Sequence, residues 1–302
     1  MQFSKPRKIS FSPKTLLLRN ISNYFLKKQN KRFSKIRDYR FAVFAHDFIG
    51  LQIFLDGHFE NEELNDLFYI LSRIDINIEE SAAIDIGSNI GNHTIYFSRL
   101  FKKVLSFEPN QITYKLLLLN CSPYNNIETF NFGLSDKTEI TKLSEDASNS
   151  GSSSIFFTHD FDSTLDVNLY PLDELKIDLD NLKLIKIDVE GMEYNVLKGA
   201  KKMLVEHRPV VVFEQQISDF QSQYAETKSI DFIRKLNYEI IVPISSYSHN
   251  KSIIARLRFL LSLLFSKDIH YIHSFNILTN VEKGKYAMLY AIPKEYLDKL
   301  AT

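Results

Sequence analysis

The chain predicts an α/β protein built on a parallel sheet wrapped by helices. Three observations carry that expectation. Apolar runs of strand length alternate with segments of helical period from residue 62 onward. One run, Ala82 to Ile86, breaks into a glycine loop that opens a periodic segment, SAAIDIGSNIGNHT over residues 81–94. Later runs end on acids: Glu108, Asp188 with Glu190, and Glu214. Glycines let backbone turn tightly and approach a ligand, and the helix that follows points its free N–H groups at the same place. Strand, loop and helix therefore make a nucleotide-type pocket at the carboxyl end of the sheet.

The 302 residues suffice for one sizeable α/β domain with additions, and 44% hydrophobic with 25% charged residues is ordinary for a globular protein. No internal repeat is visible. The expected organisation is a basic arm over residues 1–40, then a single domain over 41–302 carrying a helical insertion near 250–271. The single cysteine, Cys121, excludes an intramolecular disulfide framework and any cysteine-based zinc cluster, and reads as a packed, inert thiol. The zero net charge hides a split: residues 1–40 hold 12 Lys/Arg against one acid, Asp38, and the remainder is net −11. Such an arm has two readings, a surface for an anionic partner such as membrane lipid or acidic glycan, or a solvated leader. The start lacks a compact apolar core with a small-residue cleavage site, and the apolar run 253–265 is interrupted by Arg256 and Arg258. These features predict a cytoplasmic protein, membrane-peripheral if the arm binds lipid.

Taken in order, residues 10–37 have the makings of a basic amphipathic helix, with Leu17, Leu18, Ile21, Tyr24 and Phe25 near helical spacing. It can lie in a membrane interface or pack its stripe on the main domain, and packing is the expectation. Phe41 to Glu60 reads as two short strands or a hairpin broken at Gly50 and Gly57. Glu62 to Leu71 is a helix. After the glycine loop, Thr94, Phe97 and Leu100 mark a helix face, and Val104 to Phe107 is the second strand. Asn110 caps the next helix, whose buried face is expected to be Ile112, Leu116 and Leu119. Ile127 to Phe132 is a third strand closed by Gly133. Residues 144–154, rich in Ser, Asp and Asn, read as a surface loop able to close over a ligand. Leu182 to Val189 is a fourth strand, a helical stripe runs from Val196 to Leu204, and Val210 to Phe213 is a fifth strand. A helix at 230–236 and strands at 238–242 and 286–292 complete the pattern.

Two ligands compete for the pocket. A dinucleotide wants G-x-G-x-x-G, because pyrophosphate lies on bare backbone. The spacing here is D-x-G-x-N-x-G, with Asn89 at the place of the middle glycine. An acid ahead of the first glycine suits a ligand carrying an amine and a sulfonium, which describes S-adenosylmethionine better than NAD.

Five pieces in order, DIGSNIGNHT, FEPN at 107–110, GLSD at 133–136, LDEL at 172–175 and IKIDVEG at 185–191, resemble the FkbM family of S-adenosylmethionine-dependent methyltransferases. PVVVFE at 209–214 extends the match, which is good over residues 44–216, loose over 217–293 and absent from the arm. The resemblance implies the class I methyltransferase fold, a Rossmann-like seven-stranded sheet with its last strand antiparallel. It also implies an acceptor hydroxyl, often on a sugar or a natural-product scaffold.

The chemistry assigns roles. Asp85, Gly87, Asn89 and Gly91 are expected to hold the methionine end of the donor. Glu108, with Asn110 beside it, is expected to take the ribose hydroxyls, since a carboxylate accepts from both. Gly133 and Leu134 would border the adenine. Asp188, Glu190 and Glu214, at the ends of adjacent strands, should converge over the transferable methyl. A hydroxyl is a poor acid, so one of them serves as general base, or two or three hold Mg²⁺ and lower the acceptor pKa. Asp188 is favoured for positioning and Glu190 or Glu214 as base, and His93 in the first turn after the loop is a further catalytic candidate. The expected activity is O-methylation of a sugar or glycan hydroxyl, including a lipid-linked one. The alternatives are a non-catalytic S-adenosylmethionine-binding or scaffold protein and, behind it, a nicotinamide oxidoreductase. No aromatic-basic module for nucleic acid is present.

Overall fold

The computed structural model describes residues 12–33, 41–44, 47–74, 77–145, 163–177, 179–220, 227–245, 273–277, 281–284 and 286–300. The expected insertion near 250–271 and nearly all of the 144–154 loop lie outside them. The α-helices of the described residues are α1 (Pro13–Phe33), α2 (Phe48–Asp56), α3 (Asn61–Arg73), α4 (Asn92–Ser98), α5 (Gln111–Cys121), α6 (Glu193–Gly199), α7 (Lys201–His207), α8 (Lys228–Lys235) and α9 (Leu297–Leu300). The strands are β1 (Ala82–Ile86), β2 (Lys103–Phe107), β3 (Ile127–Phe130), β4 (Gly133–Leu134), β5 (Glu139–Glu145), β6 (Ser163–Tyr170), β7 (Leu182–Ile187), β8 (Val210–Gln215), β9 (Tyr238–Ser245), β10 (His273–Ile277) and β11 (Tyr286–Pro293).

Eight strands form the main sheet in the order β10-β9-β11-β8-β7-β1-β2-β3. The five strands from β3 to β8 run parallel, and β11 is antiparallel to both β8 and β9. The chain winds outward from β1 to β3, then returns to β7 on the other side of β1. The switch point therefore lies between β1 and β7, where an open α/β sheet leaves a crevice at its carboxyl end. Alternation along each strand feeds two cores. Ile84, Ile86, Ile185, Val211 and Phe213 face one layer of packing, and Ala83, Leu184, Val210 and Val212 face the other with Leu64, Leu67 and Leu71 of α3.

The predicted Rossmann-like sheet with antiparallel closure is present, and its particulars correct several expectations. The main sheet has eight strands rather than seven, because β10 adds to the edge of β9 antiparallel. Its sequence, HSFNI, is too short and polar to signal a strand; the Phe275 ring stacks on Tyr69 with centroids 5.5 Å apart. A second sheet, β4-β6-β5, was not expected either. Strand β6 did carry the period-two signal, in Leu165, Val167 and Leu169. Strand β5 hides it by turning Ile140 outward, 72% exposed, and Leu143 inward.

Among the described residues of 41–60 there is no hairpin. Asp47 caps α2 by accepting from the Gly50 N–H, and Gly57, at φ 98°, ends it. The short helix buries Gly50 and Ile53, so its all-round apolar text mimics strands. On α5 the buried positions are Thr113, Leu117, Asn120 and Cys121, while Ile112 and Leu119 are exposed. An unbroken leucine run leaves the face undetermined by pattern, and the polar residues decide it. Burial pushes the Cys121 thiol up to about 12, as suits an inert packed side chain. Helix α1 does not pack its stripe: Leu17, Leu18, Ile21, Tyr24 and Phe25 are all exposed.

Two asparagine clips fasten the N-terminal segment to the sheet domain. Asn120 accepts from the Ala42 N–H at 2.7 Å and donates to the carbonyls of Ala42 and Ile90, at 3.0 and 2.8 Å. Asn92 accepts from the Phe59 N–H and donates to the Phe59 carbonyl, both at 3.0 Å. Replacing Asn120 by Ala strands the buried Ile90 carbonyl, and should lower unfolding stability by about 1–3 kcal/mol in denaturant titration.

Candidate active site

A polar row crosses the apolar sheet. Ser106, Asp85 and Lys186 are register neighbours on β2, β1 and β7. Thr94 of α4 donates to Asp85 Oδ2 at 2.6 Å and lies 3.0 Å from the Ser106 hydroxyl. Lys186 Nζ sits 2.9 Å from Asp188 Oδ2 and 3.8 Å from Asp85 Oδ1. Burial alone would depress the Lys186 ammonium, but Asp188, Asp85 and Glu60 together hold it above its ordinary value. Lys186 thus stays charged within the fold. A lysine in the apolar text LKLIKI was the signal for it, and sequence reasoning passed over it.

At the carboxyl ends of β1, β2, β7 and β8 lies a cavity of about 300 Å³. Gly87, Asn89, His93, Glu108, Asn110, Gly133, Leu134, Asp188, Glu190 and Glu214 all line it, so the structure brings together ten of the twelve expected residues. The other two, Asp85 and Gly91, lie behind the wall. Asp85 is fully buried and committed to Thr94 and Lys186, so it orders the loop instead of facing a ligand. Gly91 starts α4 at φ 95°.

Local geometry explains each placement. Gly87 has φ 75°, and a Cβ there would stand 1.8 Å from the Asp188 carbonyl oxygen, so only glycine lets β1 and β7 diverge this tightly. Glu108, 7% exposed, accepts from the backbone N–H groups of Asn89 and Asn110, both at 2.9 Å. Burial, only partly offset by those bonds, raises its carboxyl to about 7. The Asn110 side-chain oxygen caps α5 through the Ile112 and Thr113 N–H groups, as expected. Gln216 Nε2 donates to Glu190 Oε2 at 2.7 Å and to Glu214 Oε2 at 3.4 Å, bridging those acids. Carboxylate oxygens of Asp188, Glu190 and Glu214 lie within 4.8 Å of one another. Glu190 holds φ 52°, unusual for a side chain of its size, and Glu193 anchors its turn by accepting from Val189 and Gly191. Burial raises Glu193 to about 8.

The N-terminal segment supplies a wall the sequence did not reveal: Phe48, Ile49, Phe59 and Glu60. His93 is 5% exposed, stacks on Phe97, and points Nε2 at Glu60 Oε2, 3.3 Å away. Among the described residues, His93 Nε2 and Asn89 Oδ1 are buried at the cavity without a hydrogen-bond partner.

A glycine loop, a buried acid after the second strand and an acidic rim meet at the switch point, the place where an open α/β sheet takes a ligand. The sequence profile described as methyltransferase FkbM domain matches residues 85–240, about half the chain. The chain belongs to the FkbM methyltransferase family, whose methyl donor is S-adenosylmethionine. Solved structures similar to it include the FkbM methyltransferase of Methylobacillus flagellatus KT, 23% identical over 45% of this chain and 33% of that one, TM-score 0.34. The match thus spans about a third of the Methylobacillus protein. Precorrin-6y C5,15-methyltransferase from Geobacter metallireducens GS-15 is 12% identical over 79% and 91%, TM-score 0.40. A dimethyladenosine transferase from Plasmodium falciparum is 13% identical over 80% and 64%, TM-score 0.34. No curated protein matches the sequence.

The buried acids set opposite pH trends. Glu108 and Glu193 are raised from an ordinary 4.5, so their contribution to stability is complete below about pH 4.5 and is lost as pH climbs through about 7 and 8. The expected role of Glu108, accepting from both ribose hydroxyls, calls for the carboxylate form. Donor affinity, followed by calorimetry, should fall toward tenfold per pH unit below about 7 and level off above it, a trend Glu108→Gln abolishes. Lys186→Met leaves Asp85 and Asp188 facing each other uncompensated, and should cost about 3–5 kcal/mol in thermal or denaturant unfolding.

Proposed function

We propose that this chain transfers the methyl group of S-adenosylmethionine to a hydroxyl of a sugar or glycan. The charge of the cavity carries the reading. Five lining carboxylates, Glu60, Glu108, Asp188, Glu190 and Glu214, surround one lining ammonium, Lys186. Such a wall suits an amine and a sulfonium and repels the phosphates of a dinucleotide. The donor fits these residues: bare backbone at Gly87 admits the methionine end, Glu108 accepts from the ribose diol, and Gly133 and Leu134 border the adenine.

Acceptor hydroxyls find oxygen partners in the acidic rim and apolar faces in Phe48 and Phe59, a mixture suited to a sugar ring. Asp188, held by Lys186, positions donor and acceptor. Glu190 or Glu214, fixed by the Gln216 amide, takes the acceptor's proton; the acceptor oxygen bonds to the methyl carbon while the C–S electron pair stays on sulfur, giving the neutral thioether. His93 stands as an auxiliary base beside Glu60. The cluster of Asp188, Glu190 and Glu214 also offers a hard divalent cation only oxygen ligands, and Mg²⁺ there would lower the acceptor's pKa.

Methyl transfer from labelled donor to a panel of sugars and glycans tests this directly. Glu190→Gln or Glu214→Gln should lower kcat about 10²–10⁴-fold with donor affinity kept. Loss of rate in EDTA, restored by Mg²⁺, marks the metal form of the mechanism. Full turnover in both variants, or transfer only to non-hydroxyl acceptors, contradicts the proposal.

A further inference from the structure

We infer that α1 is an interfacial helix that seats the enzyme on an anionic lipid bilayer. Its 21 residues, about 31 Å of helix, contain Lys14, Arg19, Lys27, Lys28, Lys31 and Arg32 and no Asp or Glu. Leu17, Leu18, Ile21, Tyr24 and Phe25, at i, i+1, i+4, i+7 and i+8, are 46% to 65% exposed, and Lys14 and Lys28 fall at helical spacing among them, so apolar and basic residues share this stripe. A stripe of that spacing normally lies against something. In this chain every α1 side chain described is exposed, the stripe included, although α1 itself rests against α2.

Charge selects the occupant. A second copy of α1 laid on the stripe would bring twelve cations together with no carboxylate from either helix between them. An anionic headgroup layer complements the helix's net positive charge, while the acyl boundary receives the apolar side chains and basic ones reach up past them. Among the described residues no helix is long and apolar enough to cross a membrane, so α1 lies on the surface.

Helix α2, against which α1 rests, also exposes apolar side chains. Phe48 is 56% exposed and Leu51 50%, with Val43 beside them at 38%. Phe48 also lines the cavity. A bilayer under α1 therefore adjoins the cavity wall at Phe48 and Ile49, where an acceptor carried on a lipid would arrive. That last point rests on the glycan reading above, whereas lipid binding itself does not.

The test is co-sedimentation of the full chain with vesicles of phosphatidylcholine containing phosphatidylglycerol, beside vesicles of phosphatidylcholine alone. The chain should partition onto the anionic vesicles, less so as salt rises. Lys27→Glu/Lys28→Glu and, separately, Leu17→Ser/Ile21→Ser/Phe25→Ser should each reduce partition about tenfold or more. S-adenosylmethionine affinity, unchanged in both variants, shows that the domain remains folded. No preference for anionic vesicles, or variants that bind as the parent does, overturns the inference. A concentration-dependent dimer that the stripe variant dissolves, without vesicle binding, assigns the stripe to a second copy and also overturns it. Failure of methyl transfer with lipid binding intact would count against the acceptor reading alone.

Discussion

A buried ammonium is costly unless carboxylates surround it, and that requirement ties this site together. Lys186 rises from the middle of the sheet between Asp85 on β1 and Asp188 at the end of β7. The pairing fixes both sides of the switch point. On one side it holds the loop that begins at Gly87, through Asp85 and Thr94. On the other it leaves Asp188 aimed at the cavity while its carbonyl packs where a Gly87 side chain would be. Donor loop and acidic rim are therefore set by one cation. Breaking that contact alters both.

Much of the fold was legible because apolar period and acid-tipped strands report the same layers. The glycine loop and the Asn110 cap could be read because each serves a local backbone need. What escaped was tertiary in origin. Residues 41–60 look like strands, but 48–56 form a helix capped by Asp47, and Asn120 and Asn92 clip the flanking Ala42 and Phe59 onto the glycine-loop region. Ile140 on β5 points to solvent against its own hydrophobicity, so no pattern could announce that strand. The leucines of α5 offer several equivalent faces, and Asn120 selects among them by reaching the Ala42 and Ile90 backbone.

The site shows the same division. Sequence reasoning placed the carboxylates at strand ends, and the structure gathers them around one cavity. It expected a ligand contact at Asp85, whose side chain is fully buried behind the cavity wall with Thr94 and Lys186. Lys186, Glu193 and Gln216 were overlooked because each acts on another side chain or on a turn, roles that need three dimensions to see. The wall of Phe48, Phe59 and Glu60 lies outside residues 85–240, where the family profile matches. The cavity is thus closed by residues from the segment that precedes the family core.

The most direct test of this account is calorimetric titration of the full chain with S-adenosylmethionine and, in parallel, with NAD. The account predicts saturable one-to-one binding of the methyl donor and none of the dinucleotide, because the acidic cavity rewards a sulfonium and repels a pyrophosphate. Binding of NAD in preference, or of neither ligand, would contradict it.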